Sequence, residues 1–346
     1  MCIRDSSSIG YLVSIPVFCD AAFVILSHLN KTLSQQTKTP LVGLTVALST
    51  GLFAPHVLVP PTPGPLAAAA NLELENLLLL IAVGAIIAFI LILVGGAYGH
   101  YLIEKNEYLE LKKEKLEDHS ETENLPSFTK AILPILIPII LMCIGTMLKF
   151  FMSEFQGLEY ILFITKPTMA LGIGMIFSFG LVSSKRKLFL NNSIKKGIIQ
   201  AAPILVITGM GGALGGIIQT IPLKAYAESI TTIENLGILI PFLIAALLKS
   251  AQGSSTVAII TTSSLIFPLL PLLGLDSEMG KIWTIMALGV GSMTISHAND
   301  SYFWIVTQMS SMDVKTAYKT HTLGTFIQGS VGFLVIWIGH LIWTLI

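Results

Sequence analysis

Three ionisable residues stand in otherwise apolar surroundings and are the first candidates for chemistry: Asp20, Lys249 and Asp300. An ionisable group is costly inside a membrane, so such a group marks a functional site by default. Desolvation favours the protonated form of a carboxylate, which makes Asp20 and Asp300 candidate proton acceptors. His297 precedes Asp300 by three residues and is a candidate to share its proton, whereas Lys249 is a candidate to attract an anion.

Each of these residues also has a structural interpretation. Asp20 is equally suited to capping a helix or to lying at the water interface. Asp300 can hold a hydrogen-bonded hub with His297 and Asn299. Lys249 can extend its long side chain so that the ammonium stays in water at the end of a helix. The sequence leaves these alternatives open.

Hydroxyl and amide side chains cluster where proline or glycine interrupts the apolar sequence. Backbone that leaves a helix exposes N–H groups, and the helix that follows points its positive N-terminus at the break. Hydroxyls and amides suit a polyol chain, so we predict that these clusters bind a small hydroxylated anion near the membrane midplane. The predicted binding residues are Thr62, Gly64, Lys249, Gln252, Gly253, Ser254, Ser255 and Thr256.

The interruptions themselves are built from prolines and glycines. Pro61 and Pro63 belong to the stretch Pro60-Pro-Thr-Pro-Gly-Pro65, in which we expect no helix, because each proline lacks a backbone donor and blocks the preceding turn. Gly211 and Gly212 form the second predicted break, for which close packing of small residues between helices is the alternative.

These residues require a membrane setting. Of 346 residues, 53% are hydrophobic and only 12% are charged, about half the fraction of a soluble domain. Uncharged stretches are long enough to cross a bilayer, which takes about 20 residues; Thr39 to Leu72 is 34 residues long and Asn76 to Ile103 is 28. The balance of 20 acidic and 20 basic residues gives no indication of a nucleic-acid partner. The chain is predicted to be an all-α polytopic membrane protein.

The order of apolar segments predicts two membrane halves around a charged loop. We divide the chain into residues 1–103, 104–130 and 131–346, and expect the first half to be truncated at its N-terminus. Nearly equal gaps separate Asp20 from Thr62 and Gly211 from Ser254, which favours an inverted-repeat secondary transporter. The nine predicted segments are 10–29, 41–70, 76–102, 131–152, 160–182, 198–222, 236–273, 282–310 and 321–346.

Basic residues predict the orientation of the chain. Loops 104–130 and 183–197 hold ten of the twenty lysines and arginines, so both are expected to face the cytoplasm. The three scattered cysteines give neither a disulfide framework nor a metal motif, and we expect no metal and no cofactor.

Two other classes of protein compete with a transporter. An intramembrane hydrolase is suggested by His297, Asp300 and nearby serines, but the sequence contains neither H-E-x-x-H nor G-x-S-x-G. A channel or a structural bundle is the other class. Saturable uptake that depends on the proton gradient would separate a symporter from all of these.

Five motifs in order resemble the gluconate permease (GntP) family over residues 10–346. The first is Ile15-Pro-Val-Phe-Cys-Asp20, in which the family has a second Phe in place of Cys19. The other four begin at Pro55-His56 with the proline-rich stretch, at Thr208, at Ala251 and at Ser296.

The resemblance implies proton symport of gluconate or a related sugar acid across the bacterial cytoplasmic (inner) membrane. D-serine or a glycerate-type hydroxy acid is the alternative substrate within the family. The resemblance further implies two inverted repeats, each with a re-entrant hairpin and an interrupted helix, and often a homodimer. Family members have additional N-terminal membrane segments, which is why a truncation is expected here.

Overall fold

The computed structural model describes residues 2–14, 18–105, 158–180 and 237–345, with isolated positions between 127 and 148 and between 191 and 199. These residues form helices, with no strand among them, which confirms the all-α prediction for this part of the chain. The helices are α1 (Cys2–Ser14), α2 (Cys19–Thr37), α3 (Leu41–Leu58), α4 (Pro63–Asn71), α5 (Leu77–Glu104), α6 (Leu158–Thr165), α7 (Pro167–Phe179), α8 (Leu239–Gln252), α9 (Ser255–Ile266), α10 (Glu278–Met293), α11 (Ser301–Met309), α12 (Val314–Ala317) and α13 (Leu323–Leu345).

The described helices belong to two compact units. The first contains α1–α4, α5 from Leu79 onwards, and α8–α13, whereas the second contains α6 and α7. Both predicted halves therefore contribute to the first unit, and the division into halves stays a prediction. Gly211, Gly212 and almost all of the two basic loops lie outside the described residues.

Among the described residues, three elements are long and apolar enough to cross a membrane: Leu41–Asn71, Leu77–Glu104 and Val314–Leu345. They have 28 to 32 residues, and a helix rises about 1.5 Å per residue against about 30 Å of hydrocarbon. The most hydrophobic window of Leu41–Asn71 is completely buried, so this element lies in the protein interior.

The proline-rich stretch is only partly non-helical. Our expectation of no helix across Pro60–Pro65 was wrong for its second half, because α4 begins at Pro63 with proline in the first turn. A proline at the first position of a helix costs no intrahelical hydrogen bond, since the first N–H groups of a helix have no intrahelical acceptor. The break between α3 and α4 is therefore confined to residues 59–62.

Helices α3 and α4 continue in one direction despite this break. Val57 of α3 lies against Gly289 of α10, whereas Glu73, just beyond α4, accepts a 3.0 Å hydrogen bond from Lys281 near the start of α10. The pair α3–α4 is thus an interrupted helix antiparallel to α10.

Helices α10 and α11 form a second interrupted helix. The Tyr302 hydroxyl of α11 donates to the Ser49 carbonyl, and Ser310, which follows α11, lies beside Thr45 at a hydroxyl distance of 3.0 Å. Helix α11 is therefore antiparallel to α3, just as α10 is antiparallel to α3–α4. Residues 294–300 separate the two parts, with Ile295 at a φ of +59°.

Helices α8 and α9 turn back on one another. Helix α8 is parallel to α10, since Phe242 packs at Gly291 and the Ser250 carbonyl accepts from Asn299 beyond α10. Helix α9 is parallel to α4, since Thr256 lies beside Gly64 and Ser263 accepts from Asn71 at 2.8 Å. Because α4 and α10 are antiparallel, α8 and α9 form a hairpin.

Helices α1 and α2 also run in opposite directions. Ser7 and Ser14 of α1 donate to the carbonyls of Ala47 and Leu52, so α1 is parallel to α3. Asn30 of α2 donates to the Leu44 carbonyl, whereas Phe23 reaches the Tyr302 ring beside Ser49 and Phe53, so α2 is antiparallel to α3.

The breaks at Thr62 and Ser254, which the sequence paired because of their nearly equal gaps, are of different kinds. Thr62 lies between helices that continue in one direction, whereas Ser254 lies between helices that reverse. The number of residues between two breaks cannot tell an interrupted helix from a hairpin turn, because both require residues that end a helix.

Candidate functional site

The turn of the α8–α9 hairpin depends on glycine. Gly253 has a φ of +81°, a left-handed conformation that costs a residue with a β-carbon about 1–2 kcal/mol. A β-carbon at this position would also overlap the Asn299 carbonyl oxygen. Glycine thus allows the hairpin turn to lie directly against the break between α10 and α11.

A buried ion pair joins the hairpin to that break. Lys249 Nζ lies 2.6 Å from Asp300 Oδ2, and the two side chains are only 1% and 3% exposed. The same ammonium donates to the Gly253 carbonyl at 3.1 Å and lies 5.5 Å from the centre of the Phe53 ring. Lys249 therefore does not extend to the protein surface, and the pair ties together α8, the hairpin turn and α11.

The Asp300 carboxylate also caps α11 and accepts from its own segment. Its Oδ1 accepts from the Tyr302 backbone N–H at 3.1 Å, and its Oδ2 accepts from the Ser296 hydroxyl at 2.5 Å. A buried charge requires such partners, because desolvation otherwise costs several kcal/mol.

The expected hydrogen bonds from His297 and Asn299 to Asp300 are not formed within the described part of the chain. Asn299 donates instead to the Ser250 carbonyl, and the contribution of His297 is its backbone carbonyl, which accepts from the Asp300 N–H at 2.8 Å. That turn directs the Asp300 side chain towards Lys249. His297 itself is half-buried.

Asp20 lies at the same junction, in the first turn of α2. Its Oδ2 accepts from the Ser301 hydroxyl at 3.2 Å, and its Oδ1 lies 3.6 Å from the Cys19 sulfur. The structure thus brings the two predicted proton acceptors onto either side of Ser301, although they are 280 residues apart in sequence. The hydrogen-bond partners of Asp20 named here, Ser301 and Cys19, are neutral, whereas Asp300 forms an ion pair with Lys249.

The predicted substrate residues meet where α4 and α9 begin. A β-carbon at Gly64 would lie 2.9 Å from Ile259 Cδ1 and 3.7 Å from Thr256 Cα, so the two helix N-termini are adjacent. Thr62 and Ser254 precede these helices as their N-cap residues. Among the other predicted residues Pro61, Ser255 and Thr256 are buried, Pro63 is half-buried and Gln252 is exposed.

Sequence reasoning overlooked His321. This residue is fully buried on a π-helical turn, Tyr318–Thr322, between α12 and α13. Its Nε2 lies 3.3 Å from the Ser296 hydroxyl and its Nδ1 lies 3.2 Å from the Ser49 hydroxyl. The signal that selected Asp20, an ionisable group beside a long uncharged stretch, was available here too, since no Lys, Arg, Asp or Glu follows Lys319.

Known proteins resemble this chain over nearly its whole length. Residues 7–342 match the family model described as GntP family permease. A protein named as an uncharacterized permease of Haemophilus influenzae is 32% identical over 96% of this chain and 71% of its own. The D-serine transporter of Escherichia coli (strain K12) is 29% identical over 93% of this chain and 73% of its own.

A gluconate permease of Pseudomonas aeruginosa is 28% identical over 94% of this chain and 74% of its own length. The family match covers almost all residues of the chain, including every described residue of the ion pair and the two breaks. The chain therefore belongs to the GntP family of permeases: it is a multi-pass transporter of the bacterial cytoplasmic membrane and not an enzyme.

Proposed function

We propose that this permease is a secondary active transporter that carries a gluconate-type sugar acid together with a proton. The names of its relatives support a small organic acid as the substrate, with D-serine as the alternative within the family. The observation that carries the proposal is the set of helix N-termini gathered at the breaks.

Helix N-termini attract anions, and the four at this site have different caps. Helix α11 is capped by Asp300, and α2 has Asp20 in its first turn, so a carboxylate of the protein already serves each of them. Helices α4 and α9 are preceded by the hydroxyl residues Thr62 and Ser254, which bring no charge. We infer that the substrate carboxylate binds where α4 and α9 begin.

Lys249 links this anion site to proton binding. In the structure its charge is neutralised by Asp300 at 2.6 Å. Protonation of Asp300 would leave a buried ammonium without its counter-ion, which is unfavourable by several kcal/mol. A substrate carboxylate at the neighbouring turn would replace the lost charge, so the proton and the anion each favour binding of the other. This reciprocity is the thermodynamic requirement for symport.

The directions of the helices support an inverted repeat. In both sets a hairpin precedes an interrupted helix: α1–α2 and then α3–α4, and later α8–α9 and then α10–α11. The first helix of each hairpin is parallel to the interrupted helix that follows, and the two interrupted helices are antiparallel to each other. Pro60 follows Phe18 by 42 positions, and Ile295 follows Gly253 by the same 42 positions. Such repeats allow alternating access by movement of one set against the other.

The hydroxyls near the anion site favour a polyol over an amino acid. Thr62, Ser254, Ser255 and Thr256 offer hydroxyls, and Gln252 offers an amide. An amino acid would also need a partner for its ammonium group, and none of these five side chains carries a negative charge. Competition of labelled gluconate uptake by a panel of aldonates, uronates, glycerate and D-serine separates the two. We expect aldonates to compete best, whereas competition by D-serine alone would assign the amino acid.

Ser254→Val and Thr256→Val should raise the KM for gluconate uptake at least tenfold, because each removes a hydroxyl at the start of α9. Ser254 also accepts from the Val257 N–H, so its loss costs about 1 kcal/mol of helix capping. Ser277→Val is the matched control, since Ser277 caps α10 in the same way and is exposed. Unchanged KM values for both Ser254→Val and Thr256→Val would remove α9 from the substrate site.

A further inference from the structure

Four buried side chains form a continuous polar chain from α3 to the ion pair. Ser49 Oγ lies 3.2 Å from His321 Nδ1, His321 Nε2 lies 3.3 Å from Ser296 Oγ, and Ser296 donates to Asp300 Oδ2 at 2.5 Å. All four residues are at most 3% exposed. The chain therefore connects the transmembrane part of α3 with the carboxylate that faces Lys249.

We propose that His321 is the proton-relay residue of this transporter and exchanges protons with Asp300 through the Ser296 hydroxyl. This inference rests on the proposed proton symport and adds a path for the proton. In the forward step, His321 Nε2 gives its proton to Ser296 Oγ while Ser296 gives its own proton to Asp300 Oδ2. The imidazolium becomes a neutral imidazole, Ser296 remains a hydroxyl, and the carboxylate becomes a carboxylic acid.

The surroundings of His321 suit this step. Within the part of the chain that the structure describes, the titratable groups that face it are Asp300 from the break, Lys249 from α8 and Tyr302 from α11, whose ring centre lies 5.6 Å away. The Tyr302 hydroxyl is occupied by the Ser49 carbonyl at 2.9 Å, so it does not compete for the imidazole. Short π-helical segments are frequent at functional sites, and His321 lies on one.

The relay has a defined consequence for the hairpin. A proton that reaches Asp300 Oδ2 neutralises the carboxylate that pairs with Lys249. The Lys249 ammonium then retains its 3.1 Å hydrogen bond to the Gly253 carbonyl. Gly253 is the turn of the hairpin, and Ser254 begins the proposed anion site. The relay thus controls how firmly the hairpin turn is held against the break between α10 and α11.

Purified full-length protein in proteoliposomes with an internal pH dye tests the relay. Net gluconate uptake driven by an inward proton gradient needs proton transfer in each cycle, whereas exchange of labelled for unlabelled gluconate does not. We expect His321→Gln and Ser296→Ala each to lower net uptake at least tenfold, to lower exchange less than fivefold and to flatten the pH profile of net uptake. His340→Gln is the matched control, because His340 lies on α13 away from the cluster, and should leave both activities unchanged.

The possible results distinguish the relay from the proposed function. If both relay variants keep the wild-type pH profile and net uptake, or if exchange and net uptake fall equally with an unchanged profile, the relay is refuted and proton symport stands. If the wild-type protein exchanges gluconate but acidifies no liposome during net uptake, both proposals fail. If one variant does not fold, the other still decides, because either residue alone interrupts the chain.

Discussion

Lys249→Met is expected to abolish gluconate uptake and to lower the free energy of unfolding by about 3–5 kcal/mol. The substitution leaves Asp300 charged and buried without its cation, and an uncompensated buried charge destabilises a protein by about this amount. Thermal unfolding of the detergent-purified protein measures the stability, and labelled uptake measures the function. Lys281→Met is the control, because Lys281 is a surface residue that donates to the Glu73 carbonyl.

The double variant Lys249→Met/Asp300→Asn separates stability from transport. It removes both charges, and the asparagine oxygen can still accept from the Tyr302 N–H while its NH2 group donates to the Ser296 hydroxyl. We therefore expect it to regain most of the lost stability and to remain unable to transport, because the anion site has lost its lysine. Recovery of uptake in the double variant would show that Lys249 has only a structural role.

Gly253→Ala is expected to lower the free energy of unfolding and gluconate uptake to a similar extent, through a steric clash alone. The new β-carbon would overlap the Asn299 carbonyl oxygen, which is backbone and cannot rotate away. Gly274→Ala is the matched control, because Gly274 also has a positive φ, +66°, but has open space around it. The control should lose only about 1–2 kcal/mol of stability and keep its uptake.

Equal losses of stability in the two alanine variants would show that backbone strain, and not the contact between the hairpin and the break, sets the requirement for glycine. Unfolding temperatures of both purified proteins and their gluconate uptake provide the comparison. A Gly253→Ala protein with normal uptake would contradict the close approach of Gly253 to Asn299.

The fold could be predicted from sequence where one residue type dominates a long stretch. Uncharged runs predicted α5 almost to its ends, because hydrophobic length is a local property. The direction of the helices around Gly253 could not be predicted, since it depends on contacts with α4 and α10 that are distant in sequence. The start of α4 at Pro63 was missed because a proline in the sequence is compatible both with the end of one helix and with the first turn of the next.

The site was predicted as a set of residues but not as a network. Asp300 and Lys249 were selected separately, because the cost of burying a charge is visible at each position. Their pairing at 2.6 Å depends on the turn at Gly253 and the break at 294–300, which no local pattern connects. Ser296 was passed over in favour of His297 and Asn299, since hydrogen-bonding capacity was visible in the sequence and side-chain direction was not.

We expect protonation of Asp300 and binding of the substrate anion to be linked through Lys249. Moving one anion inward against a negative interior costs about 2.3 kcal/mol per 100 mV, and one proton cancels that charge. The most direct test is gluconate-dependent acidification of proteoliposomes that contain the wild-type protein or Asp300→Asn. We expect the wild-type protein to acidify the liposomes. With Asp300→Asn we expect gluconate exchange to persist, without acidification and without pH-driven accumulation. Acidification and accumulation by Asp300→Asn with the wild-type pH dependence would contradict it.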